Sequence, residues 1–223
     1  MSPRTLKRAG ALVGAALVVV GGTLIGLYVS LFLESNPPPV QAAVAGQHQA
    51  SLTLQTVADV GHGPEPDWVS YYARNPSGRW VHSTILRVPA HAVIHVTVFQ
   101  FDGASGLRNP IWGQPRGTVG GTMSVDGKPM KVLNPDLASH TFAIPGLGVS
   151  VPLDAIPDDA PNQCSVAPCP LNQAHRTIKF SFRTGNPGKF RWQCFVPCAA
   201  GFIFGFGGPM QSIGFMDGEL EVV

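Results

Sequence analysis

The distribution of apolar and charged positions divides the chain at once. From Ala9 to Leu33 there are 25 consecutive residues without a charge, which as a helix would extend roughly 37 Å, enough to cross a hydrocarbon core of about 30 Å. A secretory leader has a shorter apolar core followed closely by a small-residue cleavage site. Here Ala43-Val44-Ala45 lies well beyond the run, so the segment is predicted to be a retained transmembrane helix rather than a cleaved leader. Past it the pattern changes to short apolar or alternating runs: Ser51 to Val57, Trp80 to Val88, Ala92 to Phe101, Ser139 to Ile144, Thr177 to Phe182, Gly188 to Cys194 and Gly218 to Val223. Alternation at period two predicts strands. Between them lie turn signals such as Asn109-Pro110, Asp126-Gly127 and Gly185-Asn186-Pro187-Gly188. No later segment holds a helical period over a dozen residues, and no internal repeat is found. The expected fold is all-β, a Greek-key β-sandwich behind one N-terminal transmembrane helix. The expected divisions are 1–34 for a cytoplasmic tip and anchor, 35–50 for a Pro-rich linker opening on Pro37-Pro38-Pro39, and 51–223 for an extracytoplasmic domain.

Composition agrees with a turn-rich β protein: 26 Gly and 21 Pro occur in 223 residues. The formal charge of +2 has a local origin. Arg4, Lys7 and Arg8 precede the apolar run, and without them twelve basic residues face thirteen acidic ones. The basic tip sets the N-terminus in the cytoplasm by the positive-inside rule. The rest carries no basic patch for nucleic acid. Nor is there a Gly-x-Ser-x-Gly elbow, a phosphate loop or a His-Glu-x-x-His helix. Asp154, Asp158 and Asp159 are read as solvent-facing.

Candidate chemistry concentrates in two places. One is Asn134 to Ile144, where a loop delivers His140 to the start of a strand; the other is Gly188 to Cys198, where a strand ends in Cys194 and Cys198. Cys164 and Cys169 lie in a Pro-rich insertion and are expected to form a disulfide in an oxidising compartment. Cys194 and Cys198 are open to two readings, a disulfide or a metal pair. His91 and His95 are four strand positions apart, about 13 Å, too far to share an ion. His48, His62, His82 and His175 have no paired ligand in sequence. Trp192 shares the phase of Cys194 and is read as a packing residue. The run Gly201 to Met210, rich in Phe and Gly, is expected to dock a membrane partner if exposed, the reading its Gly residues favour, or to fill interior space if buried.

Over most of Trp80 to Val223 the sequence resembles a cupredoxin, and within that superfamily the copper domain of cytochrome c oxidase subunit II, single-anchor type. His140-Thr141-Phe142 is similar to the His-x-Phe start that carries the first copper ligand. Gly188 to Cys198 is similar to the Gly-x-Tyr-x-x-Gln-Cys-x-x-x-Cys approach to the copper centre, and Gly214 to Val222 resembles the closing turn and strand. The resemblance implies a cupredoxin-like fold, copper as cofactor, His140, Cys194 and Cys198 as ligands, and electron transfer with an oxidase catalytic subunit or a cytochrome as partner. The protein would be at most the electron-accepting subunit of an oxidase, not catalytic alone. The chain departs from the pattern where a second His and a Met follow the second Cys, since Phe202 and Gly205 stand there. From residue types, Met210 or Met216 is added as a soft donor, giving His140, Cys194, Cys198 and Met210 as the candidate site. The same departure leaves two other roles open, a metal-free structural or docking subunit of a membrane complex and a Cu(I) carrier.

Overall fold

The computed structural model describes residues 3–32, 36–58, 68–198 and 208–223, with side chains of the N-terminal helix described from 12 to 28. The chain divides into two units, Met1–Asn36 and Pro37–Val223. The first contains helix α1, Pro3–Phe32. It opens at a proline, whose missing N–H is unneeded in a first turn, and passes through Arg4, Lys7 and Arg8 into the uncharged run from Ala9. Leu12, Leu17, Val18 and Ile25 are exposed. Among the described residues no helix is long and apolar enough to cross a membrane.

The second unit is built from two sheets. Its strands are β1 (Val40–Gln41), β2 (Ala43–Gly46), β3 (Gln49–Val57), β4 (Ser70–Arg74), β5 (Trp80–Val81), β6 (Ile85–Val88), β7 (Val93–Gln100), β8 (Met123–Val125), β9 (Lys128–Met130), β10 (Ala138–Ile144), β11 (Val149–Asp154), β12 (Arg176–Arg183), β13 (Gly188–Gln193) and β14 (Asp217–Val222). One sheet has the order β1-β6-β14-β13-β10-β11; the other runs β5-β4-β3-β7-β12-β8-β9, with β2 paired to β3. Alternation decides which face goes inward: β7 buries Ile94, Val96 and Val98, and β12 buries Ile178, Phe180 and Phe182. These meet Leu86, Phe142, Ile144, Val151, Trp192 and Leu220 of the other sheet in a single core. Trp192 is its largest fully buried side chain, edge-on to Tyr71 at 4.9 Å and tilted against Phe142 at 4.9 Å. Such aromatic pairs add about 0.5–1.5 kcal/mol each beyond area burial. The indole N–H donates to Thr84 O at 2.8 Å, so the ring is buried with its polar atom satisfied, as packing requires.

All seven strand expectations fall on strands, with Trp80 to Val88 split into β5 and β6. The stretch 35–50 differs from a linker. From Val40 it enters the sheets: β1 runs parallel to β6, pairing Val40 with Leu86, and β2 pairs with β3. Val40 and Ala42 are buried in the core, because their small apolar side chains cover a sheet margin that would otherwise be wet. Asp154 also departs from expectation. It is buried at the end of β11, with a carboxylate oxygen 3.4 Å from Arg176 Nε, and burial raises its pKa. Cys164 and Cys169 are bonded. Cys169 lies in a small second cluster with Val57, Tyr72, Phe101 and Ala167.

Candidate metal centre

The site forms where two neighbouring strands part. β10 and β13 are antiparallel, with Ala143 opposite Gln193. One residue beyond β13, Cys194 is hung from β14's approach by its N–H, which donates to Met216 O at 2.9 Å. Its sulfur then takes the place of a ladder carbonyl, accepting from Thr141 N at 3.3 Å, while Phe195 N donates to Thr141 Oγ1 at 2.8 Å. On the other side of β10 the pairing with β11 shifts register between Ala138 and His140. A bulge of this kind re-aims a side chain, and His140 is turned into the gap between the strands.

His140, Cys194 and Cys198 converge there, 3%, 0% and 7% exposed, with all three donor atoms within 4.8 Å of one another. His140 Nδ1 is 2.9 Å from Cys198 Sγ and 3.8 Å from Cys194 Sγ, and the two sulfurs are 3.3 Å apart. Both cysteines are free, since a disulfide needs sulfurs about 2.05 Å apart. A point equidistant from the three donors lies about 2.0 Å from each, close to the roughly 2.0–2.3 Å typical of metal–imidazole and metal–thiolate bonds at zinc. The donor set therefore fits one soft metal ion, in geometry and in softness.

Met210 contributes a thioether at the rim, where its Sδ accepts from Cys198 N at 3.4 Å. Met216, the alternative, is fully buried in the core and meets the site through its backbone carbonyl. The sequence reading missed Asp102. Its Oδ2 accepts from His140 Nε2 at 2.9 Å, leaving Nδ1 as the nitrogen that faces the thiols. An open pocket of about 330 Å³, lined in part by Asp102, Ser139, His140, Cys198 and Pro209, reaches this point from solvent.

The electrostatics form one coupled network. Burial alone would lower the His140 pKa, but the bond to Asp102 and the neighbouring Cys194 raise it to about 9. Burial would likewise raise Cys194, yet hydrogen bonds from Cys198 and His140, and the Thr141 N–H, hold its thiol well below the usual range. Cys198 is driven up by its bond to Cys194 and by burial. The two thiols are thus shifted apart, with the thiolate favoured at Cys194 and the thiol at Cys198, beside an imidazole whose protonated form is favoured. Tyr71, whose hydroxyl donates to Thr141 O at 3.0 Å, is raised by burial and by the nearby thiol charge.

The remaining histidines lie elsewhere. His95 bonds Ser181 Oγ and Gln49 Oε1 on the other sheet, His82 stacks on Tyr72, and His175 packs against Phe99 and Phe101. Residues 201 to 207 of the docking run Gly201 to Met210, and His62, lie outside the described residues.

No family model matches the chain, and no curated protein matches it. Among solved structures it is similar to the copper protein rusticyanin at 14% identity, covering 90% of this chain and 94% of that one with a TM-score of 0.36. A rusticyanin from Thiobacillus ferrooxidans matches at 14% identity over 82% of this chain and 86% of that one, TM-score 0.35. A multicopper oxidase matches at 12% identity over 84% of this chain and 46% of that one, TM-score 0.30. All three scores are low, and the case for a metal rests on the side chains above.

Proposed function

We propose that this chain is a membrane-anchored, cupredoxin-like protein that binds copper through His140, Cys194 and Cys198, with Met210 as a weak fourth donor, and transfers electrons. The observation that carries the reading is the convergence of one imidazole nitrogen and two thiol sulfurs on a common point inside a buried gap. Copper supplies reversible one-electron chemistry when bound. The chain's own residues bury the three donors and fix them on β10, just beyond β13 and on the segment that follows it. The uncharged run Ala9 to Leu33, preceded by Arg4, Lys7 and Arg8, supports a single pass through the cell membrane with the N-terminus cytoplasmic and the domain extracytoplasmic. In that position the partner would be an oxidase catalytic subunit or a cytochrome, and the role that of a cytochrome c oxidase subunit II-like component.

One observation favours a second reading, a Cu(I) carrier. The group holds a single imidazole beside two thiols, a set that suits Cu(I) more than Cu(II), and the pocket at Cys198 gives an incoming ligand a way in. The test is to load the full-length protein with copper and record metal content, visible absorption and electron paramagnetic resonance, with Cys194→Ser and His140→Ala as controls. An intense thiolate-to-Cu(II) band that both substitutions abolish is the expected result. Tight Cu(I) binding without that band would favour the carrier. Less than about a tenth of an equivalent of copper would exclude both metal roles, leaving a metal-free structural subunit.

A further inference from the structure

We infer that Asp102 is a positioning residue for this centre: its carboxylate holds the His140 ring so that Nδ1, and not Nε2, is offered to the metal. The inference rests on the copper reading above. An imidazole is symmetric enough to present either nitrogen, and the one that binds metal is decided by the hydrogen bond the other makes. Here that bond is His140 Nε2 to Asp102 Oδ2 at 2.9 Å, and Nδ1 faces Cys198 Sγ at 2.9 Å.

Asp102 is itself held through both its side chain and its backbone. Its second carboxylate oxygen accepts from Gly103 N at 2.7 Å. Its backbone is clamped by the buried Gln100 side chain, which donates to Asp102 O at 3.0 Å and accepts from Asp102 N at 3.1 Å. Gln100 in turn accepts from the buried Thr56 hydroxyl at 2.7 Å, and Ile156 N donates to Asp102 O at 3.0 Å. A continuous chain of hydrogen bonds thus runs from β3 through the end of β7 to the ring of His140 on the opposite sheet. A loop residue with no purpose beyond solvation needs none of this. The Asp102 side chain is 29% exposed, so water could satisfy it without His140; the ring, 4% exposed, has no such substitute.

The experiment compares the full-length wild type with Asp102→Ala and Asp102→Asn. Asn keeps an oxygen able to accept from Nε2–H, whereas Ala does not. In metal-free protein the expected signature is a slowly exchanging, downfield ring N–H proton in the NMR spectrum, assigned to His140 by its loss in His140→Gln and to Nε2, rather than the Nδ1 that faces Cys198, by 15N–1H correlation across the ring. It should persist in Asp102→Asn and vanish in Asp102→Ala. Cu(I) affinity, read by competition with a chromophoric Cu(I) chelator, should fall about 10–100-fold in Asp102→Ala and recover most of that loss in Asp102→Asn. A ring N–H that persists in Asp102→Ala, or Cu(I) affinity there within twofold of wild type, overturns the inference. Absence of Cu(I) uptake by the wild type overturns the copper reading instead, and the ring N–H comparison then decides alone whether Asp102 orients His140.

Discussion

Gly218→Ala tests the packing that holds the site in place. Gly218 lies on β14 opposite Trp192 of β13, and a Cβ there would sit 2.2 Å from Thr84 O and 2.6 Å from both Thr84 Cβ and Trp192 Nε1. Two of those neighbours are backbone or the rigid edge of a fully buried ring, so neither yields by rotation. β14 must instead withdraw from Thr84 by the better part of an ångström. Two hydrogen bonds to Thr84 O stretch in consequence, from Trp192 Nε1 at 2.8 Å and Glu219 N at 3.1 Å. At about 1 kcal/mol per bond, plus about 1–3 kcal/mol for overpacking, the loss comes to about 3–5 kcal/mol. Urea unfolding of metal-free protein at neutral pH, followed by tryptophan fluorescence, measures it, with Gly185→Ala as control. Gly185 has open space where its Cβ would go, and that variant should stay within about 0.5 kcal/mol of wild type. A loss below about 1 kcal/mol in Gly218→Ala, with an unchanged denaturant slope, would refute the packing described for Trp192 and β14.

Three further outcomes are expected. In metal-free protein, the raised His140 pKa makes stability fall as pH rises between about 6.5 and 9, whereas the lowered Cys194 pKa makes it rise with pH on the acid side of 9, so the two slopes oppose each other. Cys198 keeps its proton in the native state above pH 9, so stability should fall with rising pH there by up to about 1.4 kcal/mol per pH unit relative to Cys198→Ser; parallel urea-derived curves would contradict this. Replacing Cys164 and Cys169 by Ser opens a loop of separation five and should cost about 2 kcal/mol without changing copper content, measured by denaturation and metal analysis. The double variant His91→Ala/His95→Ala should retain wild-type copper stoichiometry, and a halved metal content would place a ligand on the wrong sheet.

Where side chains alternate over a half-buried surface, as in β7 and β12, the strands were legible from period two alone. β4 was not, because Ser70, Tyr71, Tyr72 and Ala73 are all buried and leave no alternation. β11 carries Pro152 within its pairing register, which reads as a break. β1 and β2 followed three prolines and looked like a stalk, since the partner that buries Val40 lies far along the chain. At the site, the two thiols and His140 were legible by residue type and order. Asp102 was not: it lies 38 positions before His140 in a Gly-rich stretch with no motif, and only the stacking of the two sheets brings them together. Met210 and Met216 were equivalent as residue types; the structure separates them, because the Met210 sulfur reaches the Cys198 amide while Met216 is absorbed in the core.

The most direct test of one copper at His140, Cys194 and Cys198 is X-ray absorption at the copper edge on the loaded full-length protein. The account predicts one copper per chain with two sulfur ligands and one imidazole nitrogen at bonding distance, the sulfur signal halved in Cys198→Ser. A first shell of nitrogen and oxygen alone, or a spectrum unchanged by that substitution, would contradict it.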